Sequence, residues 1–584
     1  MFDKISYISE TDIYVDLIQG VQITNNILSS HVIIQDNEKS LLGEIAEVNQ
    51  RQVKIKLLGE FMDGKLFGGI IRKPLLDAKI RQINEQEIAV ILGQTSEGVM
   101  YLGRSPFYNG APVCLSVNNF FGNHFAIFGN SGSGKSCGTA RLLQNVFLNK
   151  ETPPLNANII IFDVSGEYAN AFSKLQEIDS RYNYRVLTTS LSNKDYEQLR
   201  IPLWLLNADD LALLLMSNSH SQLPIVERML KLAKIFAESS EMSENYKDHL
   251  IAKAIISILF SDSTPVKKKN DIFSIVETCP TPNFNMDATI SGVGYTRKLR
   301  DCFHIDKTGT FTEGILFTEY VSSFIRDALD DYEPQKLTFY SLKDLEKALD
   351  FTLISEGWYN NPNTYADAAS VRVRLHSLIT GEQSKIFDYP QHVDVNQFLS
   401  STLYKDNKKR QIVIINPEDM DDSLTSVIVK IYTRIIFDFC KTVPKKGSIP
   451  FHIIVEEAHR YIKNDNDRFL IGYNIFERVA KEGRKYGVIL GVISQRPVEL
   501  SDTVISQCSN FLIFKTNHPS DEEYIRKMIP NINNDIVDKQ KSLQSGTCIG
   551  FGTAFKIPVI VHLDMPNPAP LSSNSDIVLN WKNI

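Results

Sequence analysis

No stretch of the 584 residues stays apolar for the roughly eighteen positions that a membrane-crossing helix needs. The first residues, MFDKISYISETDIYVDL, lack the basic start and apolar core of a secretion signal, so neither export nor membrane insertion is expected. Cysteine is scarce. The seven thiols, Cys114, Cys137, Cys279, Cys302, Cys440, Cys508 and Cys548, contain no CxxC pair, and no His/Cys cluster has zinc spacing. That excludes a disulfide framework and a structural zinc site, and suits reduced thiols in a cytoplasmic protein. Positive charge is not in surplus either. With 62 basic against 69 acidic residues the net charge is −7, so any contact with nucleic acid has to be local rather than a property of the whole surface.

What remains is an ordinary globular composition, 43% hydrophobic and 22% charged. The length implies roughly two to four structural units. Residues 1–105 carry short alternating segments, such as DIYVDL, LLGEIAEV, RQVKIKLLGEF, FGGIIRK and EIAVIL, separated by turn residues, a pattern that predicts a small β-barrel. From about 122 the pattern changes to buried apolar runs: HFAIF, IIIF at 159–162, QIVIIN at 411–416, HIIV at 452–455, VILGVIS at 488–494 and NFLIFK at 510–515. Runs of that length alternating with helical segments predict an α/β fold with a parallel sheet covered on both faces, in two parts, 106–190 and 410–566. Between them, residues 191–409 read as a mainly helical insertion: Ile225, Met229, Leu232 and Phe236 recur at helical spacing, as do Ile251, Ile255 and Leu259. VKKKN at 266–270 reads as a solvated break in that region. The Pro-, Asn- and Ser-rich stretch 567–584 reads as a tail, either an arm or loose chain.

Gly129-Asn130-Ser131-Gly132-Ser133-Gly134-Lys135-Ser136 fills each required position of a phosphate-binding loop, between the strand HFAIF and a helix that begins near Cys137. Small residues let successive N–H groups face a triphosphate at the positive end of a helix; Lys135 reaches the β and γ phosphates, and the Ser136 hydroxyl is offered to magnesium. ATP and Mg2+ are therefore the expected ligands. Hydrolysis also needs carboxylates at the end of a neighbouring buried strand, and HIIVEEAHRYI supplies them. Glu456 is assigned to the metal side and Glu457 to the attacking water, with the reverse order left open. A surface pair of glutamates opening a helix would use the same residues. VISQRP places Gln495 at another strand end, to sense the γ phosphate or hold the water; a Ser-Gln pair closing a strand into a turn is the plainer reading. Asp163 and Glu167 in IIIFDVSGEY either approach the metal shell or a neighbouring subunit, or simply cap a turn. For His459 a packed or capping role fits as well as a chemical one.

FGNHFAIFGNSGSGKS, DVSGEY, IIVEEAH and RVAKEGRKYGVILGVISQRP together resemble the HerA-type ATPases, relatives of the FtsK motor, in order and local spacing from about 122 to 515. Across 191–409 the resemblance is weak. It implies a RecA-like P-loop NTPase core with an N-terminal barrel, a homo-hexamer with ATP at subunit interfaces, and double-stranded DNA in the pore. It also implies a cation in trans, with Arg484 the first choice and Arg478 the second; a solvated helix face is the alternative for both. Lys463 and Arg468 are candidate pore contacts or an ordinary surface loop. Members of the family work with a nuclease, or stand beside nucleases and sirtuin-like NAD-consuming effectors in anti-phage systems. Two functions follow as expectations: a DNA translocase or helicase, or a nucleotide-stabilised ring platform that assembles and regulates such an effector.

Overall fold

The computed structural model describes all residues except 1, 19–26, 37–38, 217–219, 308, 335–336, 357–361, 464–466, 529–538, 572–580 and 583–584. Alternation builds the N-terminal sheet. Ile13 and Val15 of Asp12–Leu17 face Val53 and Ile55 of Gln52–Met62, and all four side chains are fully buried. Seven antiparallel strands between Phe2 and Gln82 follow from such pairings, whereas EIAVIL, read as a strand, lies in the helix Glu85–Leu92, which Asn84 and Glu87 open as a capping box. Phe2–Ile8 and Lys79–Gln82, the two ends of the path, come near each other with no ladder recorded between them, so the expected barrel is a partial one.

The large sheet has twelve strands: β1 (Val99–Arg104), β2 (Pro112–Ser116), β3 (Phe125–Phe128), β4 (Ile159–Phe162), β5 (Tyr184–Thr188), β6 (Glu197–Gln198), β7 (Ile412–Asn416), β8 (Phe451–Val455), β9 (Val488–Ser494), β10 (Asn510–Ile513), β11 (Thr547–Gly552) and β12 (Val559–His562). Their spatial order is β6-β5-β7-β4-β8-β9-β3-β10-β11-β12-β1-β2. From β6 to β10 every pairing is parallel. The rest of the sheet, out to β2, is antiparallel. The six buried runs named in the sequence are all strands of the parallel part. Val99–Arg104, placed by the sequence pattern with the N-terminal unit, belongs instead to the large sheet, because it pairs with β2 and β12. Along β3, Ala126 and Phe128 join one apolar layer and Phe125 and Ile127 the other, as a sheet covered on both faces requires.

Helices dominate from Ala208 to Leu403, among them Leu223–Ala237, Glu241–Leu259, Pro265–Thr278 and Leu342–Ser355. Residues 266–270 are not a break. Pro265 opens a helix at its first position, and the Thr264 hydroxyl accepts from Lys267 N, so the basic run lies within the first turns. The helical region is tied to the core through Arg434, on the helix Asp422–Thr442. Its guanidinium pairs with Asp210 at 2.5 Å and donates to Leu205 O at 2.8 Å, with both charged side chains buried. Among the described residues no helix is long and apolar enough to cross a membrane.

Candidate active site

Because β3, β4, β8, β9 and β10 run parallel, their C-terminal ends meet along one edge. The phosphate-binding loop leaves β3 there. Gly129 N donates to Ser494 O at 3.3 Å and Asn130 N to Lys515 O at 3.0 Å, which fixes the start of the loop to the ends of both neighbouring strands. Ser133 N and its hydroxyl both donate to Asn130 O, at 3.2 and 2.7 Å, and close the turn. Gly134 takes φ +92° as the N-cap of α1 (Lys135–Leu148) and offers no side-chain cap. A Cβ at Gly134 would come 2.5 Å from Gly546 N, so only glycine fits between the loop and that backbone. Ser131 and Gly132 are exposed, while Ser136 and Cys137 open the helix half-buried. An uncapped helix N-terminus behind a glycine turn is a site prepared for an anion.

Lys135 is 4% exposed, and its Nζ donates to Glu457 Oε1 at 2.9 Å. Gln495 Nε2 donates to the same oxygen at 2.6 Å. His459 Nδ1 stands 3.3 Å from Glu457 Oε2. Three residues far apart in sequence therefore converge on one carboxylate at the mouth of the loop. Glu457 has φ +47° and ψ +43°, a left-handed conformation that a non-glycine residue adopts at a cost. The β8 ladder ends one residue earlier, where Glu456 N donates to Phe162 O at 3.1 Å.

Glu456 turns inward and is 1% exposed. Ser165 N donates to its Oε2 at 3.4 Å. Burial, reinforced by Asp163 and Glu167, holds the Glu456 carboxyl well above the usual carboxylate range. Asp163 is also raised by burial, although it accepts from Glu167 N at 3.0 Å and Tyr168 N at 2.8 Å. The two acids are neighbours, Asp163 raising the cost of charging Glu456, and Asp163 caps the 163–168 turn. Among the described residues no three His, Cys, Asp or Glu side chains converge as a metal cage. Magnesium keeps waters and phosphate oxygens and takes few ligands from protein; the half-buried Ser136 at the start of α1 and Glu456 are the residues that would serve it.

Arg484 lies on α2 (Ile475–Tyr486), which leads into the start of β9, and its Nη1 donates to Asn123 Oδ1 at 2.6 Å just before β3. It therefore sits at the opposite edge of the sheet from its own phosphate loop. Arg478, also on α2, lays its guanidinium over Tyr473 and Phe437, 5.4 and 5.9 Å from the ring centres. Lys463 is exposed beside Leu500, whereas residues 464–466 and the Arg468 side chain lie outside the described residues.

Residues 100–278 match the family described as Helicase HerA, central domain. This stretch is similar to a HerA-type central domain. The DNA double-strand break repair helicase HerA of Saccharolobus solfataricus is 31% identical over 198 residues, 33% of this chain and 39% of that protein. A probable helicase of Methanocaldococcus jannaschii is 23% identical over 527 residues, 88% of this chain and 76% of its own length. The chain spans 39 to 41% of the length of the first curated HerA relatives it matches. Among solved structures, the bacterial conjugative coupling protein TrwB superposes with a TM-score of 0.45 at 12% identity, covering 86% of this chain and 98% of that one. VirB4 of Thermoanaerobacter pseudethanolicus gives 0.42 at 14% identity, covering 81% and 98%. The HerA-type match runs to residue 278, past 191 where the resemblance was expected to fade, and takes in the helices up to Pro265–Thr278.

Sequence reasoning missed what braces the HerA-type loop from outside its motifs. Ser545 Oγ donates to Gly132 O at 3.1 Å and Gly546 N to Ser133 O at 3.0 Å. Phe514 packs beneath Gly129 and Gly138. The Ser-Gly dipeptide at 545–546 marks a turn, but nothing in it says what the turn touches. The start of the tail is also docked. Gln144 Nε2 donates to Pro568 O at 2.9 Å, and Leu571 N to Glu167 O at 2.8 Å.

Proposed function

We propose that this chain is an ATP-driven double-stranded DNA translocase or helicase of the HerA type, cytoplasmic and working as a homo-hexameric ring with a nuclease or sirtuin-like effector. The observation that carries the reading is the convergence of Lys135, Glu457 and Gln495 on one point at the mouth of the phosphate loop. Without phosphates, the Lys135 ammonium is neutralised by Glu457. ATP offers that ammonium a more highly charged partner, and its binding frees the carboxylate to orient and deprotonate a water molecule. Gln495, fixed at the end of β9, stays within reach of the same carboxylate and couples the γ phosphate to it. Magnesium, when bound, supplies charge neutralisation to the β and γ oxygens. Arg484, at the far end of the sheet from its own phosphate loop, would complete the site of the next subunit in a ring that packs head to tail. DNA contact through backbone phosphates would be indifferent to sequence and strongly salt-dependent.

The net charge of −7 favours the second reading, a ring platform that assembles and regulates an effector with little translocation. The two separate on one experiment. Purified protein is assayed for phosphate release with and without linear duplex DNA, and for displacement of streptavidin from biotinylated duplex. Turnover that rises with duplex, together with displacement, is the expected result. Turnover indifferent to duplex, with the roadblock left in place, would replace the motor with the platform.

A further inference from the structure

In the reaction proposed above, the step that binds phosphate also removes the strongest tether from the carboxylate that must aim the water. Glu457 has three holds: Lys135 and Gln495 on Oε1, and His459 opposite Oε2. Lys135 is the one that phosphates draw away. Gln495 alone fixes a single oxygen and leaves the carboxylate free to turn about that contact. The backbone of Glu457 is held, in a left-handed conformation with its carbonyl accepting from Arg460 N at 2.9 Å, but that does not set the plane of the carboxylate at the end of the side chain. A second side chain is needed to fix the plane of the carboxylate.

His459 is built for that. Its Nδ1 lies 3.2 Å from Ser494 Oγ as well as 3.3 Å from Glu457 Oε2. Ser494 is fully buried at the end of β9, where its hydroxyl accepts from Arg496 N at 2.9 Å and its carbonyl accepts from Gly129 N of the phosphate loop. The imidazole thus joins the most rigid point of the site to the free oxygen of Glu457. Burial keeps the ring below its ordinary pKa, and in the tautomer that carries its proton on Nδ1 the ring can donate to the carboxylate that faces it. A neutral donor fits the task, since it orients the carboxylate without neutralising its charge.

We propose that His459 is a positioning residue, which holds Oε2 of Glu457 through Nδ1–H so that the carboxylate keeps its aim once Lys135 has turned to the phosphates. The proposal rests on the ATPase reading, and the experiment separates the two. ATP turnover and the Kd of a fluorescent ATP analogue are measured for the full chain and for Glu457→Gln, His459→Ala, His459→Leu and His459→Asn, the last carrying an amide N–H where Nδ1–H stood. The expected result is a kcat about 10- to 100-fold lower for His459→Ala and His459→Leu, with Kd within about twofold of the unaltered chain. His459→Asn should recover to within about fivefold. If His459→Ala does not fold, the Leu and Asn pair carries the comparison. Turnover by His459→Leu equal to that of the unaltered chain would overturn the inference, as would equal damage from Leu and Asn. Failure of the unaltered chain to hydrolyse ATP, or undiminished hydrolysis by Glu457→Gln, would instead overturn the ATPase reading beneath it.

Discussion

The two ends of the parallel strands use polar residues in opposite ways. At the C-terminal ends the polar groups are buried and in contact: Lys135 with Glu457, Glu456 with Asp163, and a loop whose turns need glycine. At the N-terminal ends they close connections. His124 Nδ1 accepts from Leu490 N at 2.9 Å, Asn158 Nδ2 donates to Pro450 O at 2.9 Å, and the surface between is an apolar groove lined by Phe121, Leu155, Phe439 and Ile449. One set of strands builds both ends. Chemistry collects only where the strands deliver their carboxyl termini, because there the loops open towards α1 and its uncapped N–H groups. Arg484 stands apart from both: a cation at the quiet end, held by Asn123 at 2.6 Å, whose proposed role lies with a neighbouring copy.

That contrast can be broken from either side. Removing the cation of the active end by Lys135→Ala should abolish turnover, with phosphate release at least about 100-fold lower and binding of a fluorescent nucleotide weakened at least about tenfold. At the other end, Arg484→Ala should also lower turnover by about 100-fold or more while nucleotide affinity holds. Mixing the Arg484→Ala and Lys135→Ala proteins should restore some hydrolysis, and no recovery at any ratio would confine Arg484 to its bond with Asn123.

A third test uses acid. Burial, with Arg484 adding to it, pushes His124 down to about 4. Its unfolded value is the ordinary one near 6.5, so the stability it contributes is complete above pH 6.5 and is lost as pH falls towards 4, by up to about 3 kcal/mol. Urea midpoints should therefore drop across that window, and His124→Gln should flatten the slope. A slope unchanged in the variant would remove His124 from the account. The smallest effect compares two glycines. Gly134→Ala and Gly487→Ala both force a side chain into positive φ, +92° and +81°, against backbone 2.5 and 3.1 Å away. Each should cost about 1–2 kcal/mol in thermal or urea unfolding, but only Gly134→Ala should weaken ATP binding.

Much of the active end was legible in the sequence because its parts are local. A strand, a glycine turn and a helix lie within the residues 124–148, and HIIVEE and VISQ carry their polar residues directly after apolar runs. Parallel pairing then brings those ends together without further information. The brace at 545–546 was not legible, since it reaches Gly134 from more than four hundred positions away and turn residues do not encode a partner. The antiparallel third of the sheet was missed for a related reason. Which strand each of β11, β12, β1 and β2 joins is decided by register across distant segments. Asp163 shows the limit of motif reading in another way. Its position left the metal shell, a neighbouring subunit and a turn cap all open, and only the hydrogen bonds it accepts from Glu167 and Tyr168 give it a turn to hold.

The central claim is that Glu457 activates water for a nucleotide gripped by Lys135. The most direct test is to measure ATP binding and phosphate release side by side for the unaltered chain and for Glu457→Gln. The account predicts that the variant binds ATP at least as tightly, because Lys135 is no longer held by an anion, and turns it over at least about 100-fold more slowly. Hydrolysis by Glu457→Gln at the rate of the unaltered chain would contradict it.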